Sequence, residues 1–186
     1  MKKTVVLLAM ALMAGCVSEK TYQQEVQQVG TLSAQNKTYQ ALNQQLQAEV
    51  RADQVQITQL QDRLKVTMVD QLLFPEGGWE LHRPGEATLN KIVPTLQSLQ
   101  NQRINVEGFT DNVPIGPELR NRFPSNWELS AARATGVVRY LVAQGVNPNM
   151  LSAQGFGDSR PAASNDTAQG RAKNRRVEIV IMAAGS

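Results

Sequence analysis

The sequence predicts an α+β fold, with helices laid on a small mixed sheet and one long helix in front of them. Three observations carry this. Residues 18–65 are rich in Gln, hold no Pro and a single Gly, and space their apolar residues in heptads, the pattern of a long helix. Further on, Arg103 to Phe109 and Val177 to Met182 alternate apolar and polar residues as strands do. Between such runs, Pro84 to Leu99 and Asn126 to Gln144 carry apolar residues three and four apart, as helices packed by one face do.

Bulk properties exclude several functions. The formal net charge of +3 includes Lys2 and Lys3, and from Val66 onward basic and acidic residues nearly cancel. A sequence pI near 9.2 therefore gives no warrant for nucleic-acid binding, which wants a clustered basic face. One Cys rules out an internal disulfide, and one His gives no basis for a protein metal site or a bound cofactor. Neither a Ser/His/Asp nor a Cys/His catalytic set can be built from these residues, so no enzyme is expected.

The chain divides into three parts. Residues 1–15 read as a secretory signal: Lys2 and Lys3, the apolar run Val5 to Met13, then Ala14-Gly15. The run is too short to span a membrane as a helix. Cys16 follows directly, as in a bacterial lipobox, with Met13 in place of the more usual Leu. It is expected to become the acylated first residue of the mature protein. Val17, rather than Asp, then directs the lipoprotein to the outer membrane, facing the periplasm. Two or three acyl chains at ~0.8 kcal/mol per buried methylene hold such an anchor firmly.

Residues 16–65 are expected to form a helical spacer. With Val29 at position a, the seam runs through Leu32, Asn36, Tyr39, Asn43, Leu46, Val50, Asp53, Ile57, Leu60 and Leu64. Two arrangements suit it: a coiled coil joining copies of the chain, with Asn36 and Asn43 setting register, or a single amphipathic helix lying on its own domain.

Residues 66–183 are the globular domain. Val66 to Phe74 reads as a first strand, broken by Pro75-Glu76-Gly77-Gly78. The helix Pro84 to Leu99 contains Pro94, which should kink it or shift its start. The second strand, Arg103 to Phe109, leads into an insert, 112–124, holding three prolines. The next helix opens with Ser125 as N-cap and Glu128 three residues on, a capping box, and closes at Gly145. A short strand over Leu151 to Phe156, a helical turn over Asn165 to Lys173 and the last strand complete the domain.

Candidate binding residues lie where strand meets helix. Thr110 and Asp111 follow the second strand, and Asn126, Ser130 and Arg133 share one helical face. A strand-end carboxylate and a helix-borne guanidinium make a two-point clamp for an ammonium and a carboxylate on one carbon; alternatively, Asp111 and Arg133 pair with one another. Trp127 reads as packing under the long insert.

The segments Gly108-Phe109-Thr110-Asp111, Asn126-Trp127-Glu128-Leu129-Ser130-Ala131-Ala132-Arg133-Ala134 and Gly170-Arg171-Ala172-Lys173-Asn174-Arg175-Arg176-Val177, in this order, resemble the OmpA-like C-terminal domain shared by OmpA, Pal and MotB proteins. The resemblance implies a βαβαβ-type sandwich that binds peptidoglycan non-covalently through the diaminopimelate of its stem peptide. By it, Asp111 holds the ammonium and Arg133 the carboxylate, with Thr110, Phe109, Asn126 and Arg175 also at the site. Phe109 stands where the family more often has His. The insert is similar to the MotB type, yet a lipobox stands where a MotB-type stator has a transmembrane helix. Two functions follow: tethering the outer membrane to the wall, or serving as the wall-attached scaffold of a flagellar or secretion complex.

Overall fold

The computed structural model describes residues 19–184. The expected signal peptide and Cys16 lie outside the described residues. The chain forms two compact units, which meet in sequence at Ala34 and Gln35.

Helix α1, Glu19–Gln45, is the long helix expected from the Gln-rich stretch. In the first unit its apolar residues Tyr22, Val26, Val29 and Leu32 are exposed. In the second unit Tyr39, Leu42 and, just past the helix, Leu46 pack into the core, the two leucines with no exposed surface. The expected seam residues Asn36 and Asn43 face solvent instead. This part of the spacer therefore lies on its own domain. Polar contacts fix it there: Thr95 Oγ1 donates to Gln45 Oε1 at 2.9 Å, and Lys91 pairs with Glu49 of α2, Gln47–Arg51.

The helical spacer ends earlier than residue 65. Asp53 adopts a φ of 54°, a left-handed conformation that Asp tolerates, and the chain then enters strand β1, Val55–Gln59. Ile57 and Leu60, assigned to a helical seam, belong to this strand and to the hairpin loop after it. Two β-branched residues at period two, Val55 and Ile57, suit a pleated surface, and Met68 and Val66 stand opposite them. Tertiary pairing outweighs the heptad pattern here.

Strand β2, Arg63–Val69, starts and ends before the expected first strand. Asp70–Leu73, read as its continuation, is a short helix, α3. Helix α4, Arg83–Ser98, runs through Pro94, and His82 stands at its N-cap with Nδ1 between the Leu73 carbonyl and the Gly85 N–H. Strand β3, Gln102–Phe109, is followed by the insert, which contains the turn α5, Pro117–Arg120. Helix α6, Asn126–Ala143, opens with the expected capping box. Strand β4, Leu151–Gly155, helix α7, Ala168–Asn174, and strand β5, Arg176–Ala183, complete the chain.

The five strands form one mixed sheet in the order β1-β2-β5-β3-β4, antiparallel except for the β3–β4 pair. Leu64, Val66 and Met68 of β2, Ile104 and Val106 of β3, and Val177, Ile179 and Ile181 of β5 enter one core with Leu89, Ile92 and Leu96 of α4 and Ala134, Val137 and Leu141 of α6. Two glycines bring α6 onto the sheet. Gly108 and Gly155 are register partners in β3 and β4. A Cβ at Gly108 would lie 2.2 Å from the Ser130 carbonyl oxygen, and one at Gly155 2.4 Å from the Ala131 nitrogen. Among the described residues, no helix is long and apolar enough to cross a membrane.

The opposite face of the sheet sets Glu107 across from Glu178. Glu178 is neutralised by Arg176 at 2.7 Å and Lys65 at 3.2 Å. Burial, and then repulsion from Glu178, pushes the Glu107 carboxyl above the usual range. A carboxyl raised by folding opposes the fold once it ionises. Glu107→Gln is therefore expected to raise the melting temperature at pH 7, the gain fading as pH falls through the raised folded pKa and being lost below about 4.5, where Glu107 is protonated in both states. Leu46→Ala should destabilise the domain by about 2–5 kcal/mol in urea titrations, whereas a free spacer would cost the domain almost nothing.

Candidate functional site

A cleft of about 350 Å³ opens at the carboxyl end of β3, where the chain leaves the sheet. Thr110 and Asp111 enter it directly after β3; Asn126 and Arg133 enter it from α6; Asp70 enters from α3 and Arg175 from the end of α7. The close approach of α6 to Gly108 and Gly155 sets the height at which its side chains reach the cleft.

The buried charges Asp70, Asp111 and Arg133 each have a partner, and Asp111 and Arg133 are not paired with each other. Asp111 Oδ2 accepts from Arg175 Nη1 at 2.6 Å, and its Oδ1 accepts from the Val113 N–H at 3.1 Å. Arg133 donates through Nε and Nη2 to the Gly78 carbonyl at 3.0 and 2.7 Å, and its Nη1 lies 3.3 Å from Asp70 Oδ2. Asp70 also faces Arg175 Nε at 3.8 Å. Two carboxylates and two guanidiniums thus alternate around the cleft. Burial pushes the Asp70 carboxyl up, against the pull of Arg133 and Arg175; burial likewise pulls the Arg133 guanidinium down, against Asp70.

Polar groups finish the wall. Asn126 Nδ2 donates to the carbonyls of Asp111 at 3.2 Å and Val113 at 3.1 Å, which fixes the start of the insert. Thr110 is buried, its N–H donates to the Gly157 carbonyl at 2.8 Å, and its hydroxyl has no hydrogen-bond partner. Such a group costs about 1–3 kcal/mol unless something meets it. The insert carries its own apolar cluster, Ile115 and Phe123 with Leu129, backed by Trp79.

Residues 73–175, more than half of the chain, match the OmpA family. The chain belongs to the OmpA family. Among curated relatives it is similar to Motility protein B of Helicobacter pylori (44% identical over 92 residues, 49% of this chain and 35% of that protein). It is also similar to the probable lipoprotein YiaD of Escherichia coli (34%, 73% and 59%). A third is the peptidoglycan-binding protein ArfA of Mycobacterium tuberculosis (38%, 66% and 35%). The chain spans from about a third to three fifths of the length of these relatives. Among solved structures, a putative MotB-like protein from Desulfovibrio vulgaris superposes with a TM-score of 0.76 at 29% identity, covering 84% of this chain and 98% of that one. The cell wall anchor of the T6SS from Pseudomonas aeruginosa follows at 0.69 and 34%, with 76% and 96% covered.

In this OmpA-family chain the sequence-predicted residues divide. Thr110, Asp111, Asn126, Arg133 and Arg175 meet in the cleft. Phe109 does not: it is 3% exposed, stacks on Phe156 at 5.2 Å and carries Arg176 over its ring at 3.8 Å, because its side chain alternates to the far face of β3. Ser130 turns away too, its hydroxyl accepting from the Gly157 N–H. Trp127 is 50% exposed, and it is Trp79 that packs under the insert, edge-on to Phe123 at 5.4 Å. Of the glycine loop, Gly77 lines the cleft, whereas Gly78 supplies a carbonyl to Arg133.

Asp70 was missed. Its signal was a lone carboxylate inside the apolar run Met68 to Phe74, since a charge that is buried must be paired. Asp70→Ala leaves Arg133 buried beside a carbonyl alone and should cost about 3–5 kcal/mol of stability, measured by urea unfolding.

Proposed function

We propose that this chain binds peptidoglycan non-covalently, taking the free zwitterionic end of a stem-peptide diaminopimelate into the cleft. One observation carries the reading: charges of both signs, from four separate segments, converge on one small cleft beside an unpaired buried hydroxyl. A zwitterion can exchange into such a site without leaving net charge behind. Asp111 takes the ammonium, and the carboxylate meets the cationic wall that Arg133 and Arg175 supply. Thr110 offers its hydroxyl, and Asn126 holds the loop. The similarity to ArfA, a peptidoglycan-binding protein, supports peptidoglycan as the ligand.

On this reading the protein is a binder rather than an enzyme: the two buried cleft carboxylates, Asp70 and Asp111, are each engaged by a guanidinium, which disfavours acid–base work. The lipobox-like Ala14-Gly15-Cys16-Val17 supports an acylated Cys16 directed to the outer membrane, and the similarity to a probable lipoprotein supports the lipid anchor. The protein then ties that membrane to the wall. The exposed residues Tyr22, Val26, Val29 and Leu32 of α1 support self-association through the spacer. A second reading, the wall-attached scaffold of an envelope machine, is favoured by the likeness to a T6SS cell wall anchor and to MotB-like proteins. Discrete rather than uniform distribution of the protein over the envelope distinguishes it.

Sedimentation with purified sacculi tests the cleft. Wild-type protein should cosediment, Asp111→Asn should lose affinity by roughly 30-fold or more, and Arg103→Ala, on the far face of the sheet, should bind as wild type does. Undiminished sedimentation of Asp111→Asn overturns the proposal.

A further inference from the structure

Helix α6 borders a second depression, a groove of about 570 Å³ that is larger than the cleft. Ala132 and Gly136 of α6 line it, as do Trp79 and Tyr140, and Tyr140 Oη donates to the Glu86 carbonyl at 3.3 Å. Groove and cleft are neighbours. Gly78, whose carbonyl holds Arg133 in the cleft, is followed directly by Trp79 in the groove. Arg133 and Gly136 stand three residues apart on α6, about 4.5 Å along its axis.

Gly136 has no reason inside the fold to be glycine. A Cβ at Gly85, Gly108, Gly155 or Gly170 would lie 2.5 Å or less from a neighbouring backbone atom. At Gly136, inside an 18-residue helix, it would meet only the Trp79 carbonyl oxygen, at an ordinary 3.8 Å. Glycine weakens a helix interior relative to alanine. What it provides here is an open floor under the groove.

Four charges also face the groove, Glu80 and Glu86 with Arg122 and Arg139. None of them has an ion-pair partner among the described residues, and Arg122 meets only rings, Trp79 at 4.5 Å and Phe123 at 5.8 Å. An ionic ligand would satisfy one sign and be repelled by the other. A row of hydroxyls answers both, donating to the glutamates and accepting from the arginines. A pyranose carries such a row around its edge, and its C–H face suits an aromatic ring. We infer that the groove binds sugar rings of a glycan strand, so that the wall polymer is gripped at two adjacent points, its peptide in the cleft and its sugar in the groove. This rests on the reading of the chain as a peptidoglycan binder and adds a second site to it. The sugar takes the place of Arg122 on Trp79, an exposed and weak contact, and the guanidinium turns to a hydroxyl.

The test uses glycan strands of alternating N-acetylglucosamine and N-acetylmuramic acid from which an amidase has removed the stem peptides. They are titrated into the full chain and followed by NMR. Wild type should bind, with shifts at the Trp79 indole and the Gly136 amide and none at the Thr110 and Asp111 amides. Asp111→Asn should bind these strands as wild type does. Arg139→Ala removes an exposed side chain and should weaken binding by about 10-fold or more. Gly136→Ala should weaken it several-fold while the melting temperature stays level or rises, which a merely structural role for Gly136 would reverse. Absence of binding by wild type overturns the glycan site and leaves the groove to a protein partner. Equal loss in Asp111→Asn overturns it by moving the sugars to the cleft, and undiminished binding by either groove variant overturns it too. Failure of the cleft itself reads out separately, in the sedimentation of Asp111→Asn with intact sacculi.

Discussion

The ion pair between Arg133 and Asp70 joins α6 to the end of β2, and much of the cleft depends on it. A charge moved out of water costs several kcal/mol unless another charge or a set of hydrogen bonds meets it. Arg133 is 5% exposed and Asp70 7%, so neither is tolerable without the other. The same requirement draws in Arg175, which faces both Asp70 and Asp111. Four charges from four segments settle around one cleft in the order Arg133, Asp70, Arg175, Asp111, so that each is met by a charge of opposite sign. Such a ring is also ready to receive a molecule that carries one charge of each sign.

The sheet supplies the platform for this ring. Strand β3 delivers Thr110 and Asp111 at its carboxyl end; the neighbouring β5 follows directly from Arg175 and packs antiparallel beside β3. Helix α6 crosses between β3 and β4 and lays Asn126 and Arg133 along the same edge. The insert after Asp111 is not a loose loop. Asn126 holds its first carbonyls, and Ile115 and Phe123 fold it back onto Leu129 and Trp79.

Much of this was legible in the sequence. The capping box fixed the start of α6, period-two alternation marked β3 and β5, and the charged residues at the strand end and on the helix face do meet in one cleft. Where the reading went astray, a local pattern competed with a distant partner. Val55 to Gln59 fitted a heptad and a strand about equally; the presence of β2 decided between them, and β2 was itself placed three residues late. Leu42, off the expected seam, is buried because it enters the core of the domain, a fact that no periodicity of the spacer contains. Asp70 was read as an interruption within the first strand, since its two arginine partners lie far along the chain. Phe109 was taken for a site residue by its place in a motif, although the alternation of its own strand points it to the other face.

The glycine pair at 108 and 155 has a bearing on how variants of this protein would present. A side chain at either position would lever α6 off the sheet, and Arg133 and Asn126 would travel with the helix. The charged ring would then open by a fraction of a helical turn while every residue in it remained unaltered. A strain carrying such a change would show the phenotype of a cleft mutant, although the altered residue stands beneath the helix and lines no part of the cleft.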